Sequence, residues 1–220
     1  MCFSASASIG ATVLLTGAGC LALKRSYAQD KKYIPIACIP LFFAVQQLFE
    51  AIVWLSLPDL PRLSFAGLGF LFFSHFFWLL WIPLACFYLE PPSTRKLLFL
   101  TLTFAGLIFG LSLYLPIALG SNSMTIEVLN HSIVYDVKLV YDEWLARKWV
   151  WLLYILIIAT PLLFSSIPKL QIFGWLVLGA AALERLLFGY ALISIWCYFS
   201  AIASLYLIVV FLKPVKSQRL

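Results

Sequence analysis

The stretch YIPIACIPLFFAVQQLFEAIVWLSL, residues 33–57, decides how this chain is read. It is longer than the roughly 20 apolar residues a helix needs to cross a bilayer. Three strongly polar side chains, Gln46, Gln47 and Glu50, stand inside it. Charge within a membrane span is costly and normally faces the bundle interior or a cavity. The stretch therefore predicts both a membrane span and a polar site.

The rest of the composition agrees with the first half of that reading. The 220 residues are 64% hydrophobic and 11% charged, with a mean hydropathy of +1.02. Ordinary soluble domains carry roughly 25% charged residues, and a soluble chain of this length needs far more polar surface to cover its core. The net charge of +6 is explained by basic residues at cytoplasmic helix ends. No nucleic-acid-binding pattern is present. Five scattered cysteines form no CxxC pair, which excludes a zinc finger or a dithiol redox motif.

Seven apolar stretches follow one another at about 4–23, 33–57, 64–89, 97–119, 149–168, 170–187 and 190–212. The expected fold is all-α: one seven-helix membrane domain over residues 1–220, its first span retained. With the N-terminus outside, ten of the 15 basic residues fall in inner segments and five in outer ones, which favours N-out, C-in. Between spans four and five lies the outer loop 120–148. There SMTIEVLNHSIVYDVKLVYDEW alternates β-branched and polar residues around Asn130-His131, the pattern of a β-hairpin.

Depth along the helices groups the polar residues. Glu50 lies roughly 10 Å below the outer end of its span at 1.5 Å per residue, and Gln46 shares its face four residues away. His75 on the third span lies roughly 16 Å down. Glu184 and Arg185 fall near the outer end of the sixth span, and Cys2 begins on the same side. These residues are expected to meet in the outer half of the bundle. Imidazole, carboxylate and thiolate are ligands that zinc accepts. Cys2, His75 and Glu50 are thus the candidate metal ligands; Glu50, Glu184 and Arg185 are the candidate catalytic groups. Gln46, Gln47 and Tyr190 are candidate substrate contacts. Each also has a structural explanation: Glu50 paired with Arg185, His75 bonded to Ser74, and the glutamines joining helices.

The opening Met1-Cys2-Phe3-Ser4-Ala5, with Gln47, Glu50 and His75, resembles a family of uncharacterised bacterial multi-pass membrane proteins that begin Met-Cys-Phe-Ser-Ala. The resemblance implies a bacterial inner membrane and supplies no activity. Seven-span ceramidase- and adiponectin-receptor-like hydrolases hold zinc with several intramembrane histidines, whereas this chain places only His75 in a span. The leading expectation is a metal-dependent hydrolase of a lipid or small molecule, open to the outer side. A proton- or cation-coupled transporter or channel and a non-catalytic sensor or assembly protein are the alternatives.

Overall fold

The computed structural model describes residues 4–57, 60–120, 124–187 and 192–212. Cys2 and Tyr190 lie outside the described residues. The first helix, α1 (Ala5–Gln29), starts where the Ser4 hydroxyl accepts from the Ala7 N–H at 3.3 Å. It runs past the expected limit of residue 23, because Lys24 to Gln29 contain no helix breaker. Asp30, in extended backbone, ends α1 and accepts from the Lys32 N–H at 3.0 Å. A single 3-10 turn and the short α2 (Ile34–Ala37) then lead into α3 (Ile39–Leu55). Ala11, Leu15, Ala18 and Ala22 form the buried stripe of α1, at the spacing of one helix face. α1 packs along α3, and a Cβ on Gly19 would strike Leu41.

The next rod is interrupted. α4 (Leu60–Phe72) passes through a π-helical turn, Phe73–Phe77, into α5 (Trp78–Leu89). Pro83 sits inside α5 and cannot donate to the Leu79 carbonyl one turn earlier. α6 (Thr94–Leu119) approaches α5 at that point, where any Cβ on Gly106 would collide with the same carbonyl. Small residues permit such close helix approaches in membranes.

After α6 comes the expected hairpin. β1 (Met124–Leu129) pairs antiparallel with β2 (Ser132–Val137), with Leu129 opposite Ser132. Asn130 and His131 both have positive φ, 46° and 59°, as a two-residue type I′ turn requires. Ile133, Tyr135 and Val137 are buried. Tyr135 stacks on Phe70, with centroids 4.7 Å apart, so the hairpin is fixed to the end of the bundle. α7 (Arg147–Leu163), α8 (Pro168–Leu187), α9 (Leu192–Ser204) and α10 (Tyr206–Leu212) complete the chain.

Among the described residues, five helical segments are long and apolar enough to cross a membrane: Ala5–Gln29, Lys31–Leu55, Ser64–Leu89, Thr94–Leu119 and Ile193–Val210. α7 and α8 pack against each other beside them. The outward sides of the helices are greasy, with Val13, Phe104, Ile108 and Leu156 each more than half exposed.

Candidate functional site

Within the described residues the candidate groups occupy three neighbouring places. The first lies between α3 and α9. Glu50 is fully buried and accepts from Gln47 Nε2 at 3.0 Å and from the Ser194 hydroxyl. One turn deeper, Gln46 Oε1 accepts from Trp78 Nε1 at 2.8 Å. Gln46 Nε2 and Gln47 Oε1 have no hydrogen-bond partner among the described residues. Both glutamines act as interhelical or intrahelical bridges here, the structural role that such side chains commonly fill in lipid.

The second place is the π-helical turn. Its wider winding displaces the backbone there, and such turns recur at functional positions. His75 Nδ1 lies 3.0 Å from the Ser74 hydroxyl, and Tyr154 donates its hydroxyl to the Ser74 carbonyl at 2.6 Å. His75 lines a cavity of about 20 Å³ with Leu113, Leu139, Val150 and Trp151, room for about one water molecule. A slot of about 30 Å³ lies between Phe43, Trp78, Tyr154, Trp196 and Cys197.

The third place is far larger. A groove of about 420 Å³ opens between α7 and α8, lined by Arg147, Lys148, Trp151, Glu184, Arg185 and Trp196, among others. That volume falls within the roughly 300–1,000 Å³ of typical ligand clefts. Glu184 is only 1% exposed, and its Oε1 has no hydrogen-bond partner among the described residues. Arg185 follows it directly in the helix, and neighbours in sequence do not face each other. The first turn of α7 begins at Ala146 without a side-chain cap; the Trp149 N–H donates to the Ala146 carbonyl at 2.9 Å, which leaves the N–H groups of Arg147 and Lys148 for an anion.

The groove is anchored to the hairpin by Arg147. Its guanidinium grips both oxygens of Asp142 at 2.8 Å and donates to the Val137 carbonyl at 2.9 Å. The Leu139 N–H also donates to Asp142, at 2.8 Å. These bonds, the Arg147 pair above all, hold the Asp142 carboxyl below its ordinary value.

Three aromatic side chains connect the groove, the His75 cavity and the central slot. Trp151, Tyr154 and Trp196 meet pairwise, with centroids 5.4–5.9 Å apart. Trp151 borders both the groove and the His75 cavity, and Trp196 borders both the groove and the central slot. The candidates Glu184 and Arg185 therefore share one site, while Glu50, Gln46 and Gln47 share another and His75 has its own partners. Glu50 is not ion-paired to Arg185: among the described residues its carboxylate is bonded by Gln47 and Ser194 instead. No group of three or more His, Cys, Asp or Glu side chains among the described residues could hold a metal.

The sequence reading missed Arg147, Lys148, Ser194 and Tyr154 as site residues. The first two carry a signal in hindsight: a basic pair directly followed by Trp149 and Trp151 places charge and aromatic surface together at a helix start. Ser194 carries none, since a lone serine in an apolar helix reads as a small filler.

Helices long and apolar enough to cross a membrane, with charged residues lining a groove between α7 and α8, are consistent with a helical membrane protein. The chain belongs to a family of unknown function, DUF6629, whose family model matches residues 1–219. No curated protein and no solved structure matches it.

Proposed function

We propose that this protein binds a phosphate-bearing amphiphile or small molecule in the groove between α7 and α8, from the outer side of a bacterial inner membrane. The bundle is proposed to have seven spans, N-out and C-in, on the bias of basic residues between its loops. The single observation that carries the binding reading is the groove itself: Arg147, Lys148 and Arg185 line one cleft with the buried carboxylate of Glu184. Guanidinium groups match phosphate geometry with two parallel donors, and lysine adds a compact charge. Arg147 is already committed to Asp142, so Lys148 and Arg185 are the cations that a ligand would meet. The uncapped start of α7 adds N–H donors of the same sign.

Hydrolysis of the bound molecule is a second reading. It is favoured by Glu184, whose unbonded Oε1 suits a general base, with Arg185 steadying the anionic group. Zinc held by Cys2, His75 and Glu50 is a separate proposal that rests on the sequence. Stoichiometric zinc in the purified protein, lost on His75→Ala, would support it; metal-free protein would remove it.

Native mass spectrometry of the detergent-purified protein tests the binding reading. The wild type is expected to retain phospholipid, and the double variant Lys148→Gln/Arg185→Gln to retain at least tenfold less at equal folded content. Equal retention by the two proteins would overturn the reading.

A further inference from the structure

Resting on that reading, we infer that the groove selects a zwitterionic headgroup, a phosphate joined to an ammonium, rather than a simple anion. The cleft carries both signs. Lys148 and Arg185 supply positive charge, while Glu184, in the same wall, is 99% buried with an oxygen that no described residue bonds.

A phosphate alone satisfies only half of this arrangement. It would pair with Lys148 and Arg185 and leave Glu184 Oε1 unbonded beside the new negative charge, a costly state for a buried polar group. A ligand that carries an ammonium a few bonds from its phosphate removes both penalties. The ammonium donates to Glu184, and the phosphate accepts from the two cations.

The remaining walls fit the same chemistry. Trp151 and Trp196 line the groove and contact each other edge to face, with centroids 5.9 Å apart. Indole faces are the best cation–π partners and recur around ammonium ligands. Leu152 and Ile155 line the groove from the next turn of α7, and Leu152 is 45% exposed. A headgroup held there would therefore have apolar surface directly beneath it for the first carbons of an acyl chain. The ligand class is a phosphoethanolamine-type group, either as a phospholipid headgroup or as a free phosphoamine.

The test offers the purified protein an equimolar mixture of phosphatidylethanolamine and phosphatidylglycerol with matched chains, and native mass spectrometry reads the bound ratio. The wild type should favour the ethanolamine lipid at least tenfold. Glu184→Gln should lower retention of the ethanolamine lipid and bring the ratio close to one, and Glu184→Asp should keep the preference. A wild type without preference, or an unchanged preference in Glu184→Gln, overturns this inference and leaves the binding reading intact. Unchanged total retention in Lys148→Gln/Arg185→Gln overturns the binding reading instead.

Competition on the wild type needs no variant to fold. Free phosphoethanolamine displacing bound lipid better than inorganic phosphate supports recognition of both charges; equal displacement contradicts it. A soluble ligand is indicated if free phosphoethanolamine binds as tightly as the lipid, and a lipid headgroup if it binds at least tenfold more weakly.

Discussion

Two buried carboxylates, near opposite ends of the bundle, have very different surroundings. Glu90, at the end of α5, is 1% exposed, and its oxygens are occupied by the loop between α7 and α8. They accept from the Ser166 N–H at 3.0 and 3.1 Å, from the Ser165 hydroxyl at 3.2 Å and from the Ser166 hydroxyl. Arg95 completes the knot through the Ser166 hydroxyl at 3.1 Å. Glu184 is equally buried, yet one of its oxygens has no partner among the described residues, and it stands in the wall of the groove between α7 and α8. Burial alone does not distinguish structure from function. Satisfaction does: a carboxylate whose bonding capacity is filled from its own fold holds that fold together, and one left incomplete beside a cleft is available to something else.

The largest expected effect lies at the satisfied end. Glu90→Ala strips the acceptor from the Ser165–Ser166 loop and leaves buried donors unpaired, at a cost of about 3 kcal/mol. Thermal unfolding in mild detergent should show this as a clear fall in Tm, and an unaltered Tm would break the contrast between the two ends. Glu50→Gln comes next. It replaces one carboxyl oxygen that accepts from Gln47 or Ser194 by an amide NH₂, which cannot accept, and should cost about 1.5 kcal/mol, read by the same unfolding experiment.

A smaller effect depends on pH. Arg147 and the Leu139 N–H hold the Asp142 carboxyl below its usual range, so folding favours the ionised form. The contribution is complete above the ordinary carboxylate value of about 4 and disappears as pH falls through the lowered one. Arg147 is half exposed, which limits it to about 1 kcal/mol. Asp142→Asn should lower stability at neutral pH and flatten the acid limb of the stability profile; a variant with the wild-type acid limb would refute the assignment. Smallest is Glu184→Gln, which replaces a carboxylate lacking one hydrogen bond with a neutral amide. Stability should stay level or rise by less than about 1 kcal/mol. A loss comparable to that of Glu90→Ala would mean that Glu184 is structural too.

The sequence was informative where a local pattern has a single physical meaning. Apolar runs beyond about 20 residues mark spans, and alternation around Asn130-His131 marks the hairpin. It was uninformative where the meaning is relational. Arg185 was legible as a site candidate beside Glu184, but Lys148 was not until the packing of α7 and α8 set both cations on one groove. Glu90 reads as loop punctuation in EPPSTRK until the Ser165–Ser166 loop closes on it. Glu50 was legible as a buried polar group, yet Ser194, its partner on α9, was not. Depth estimates placed Glu50, His75 and Glu184 near one another, but depth does not specify azimuth, and their described partners lie in three different places.

Hydrogen–deuterium exchange with and without a phosphoethanolamine lipid tests the central claim most directly. The first N–H groups of α7 have no intrahelical acceptor, so they exchange unless a ligand covers them. Bound lipid is expected to slow exchange at Arg147 and Lys148 and to leave residues 165–167, around Glu90, unchanged. Protection at the Glu90 end, or none at the start of α7, would contradict the account.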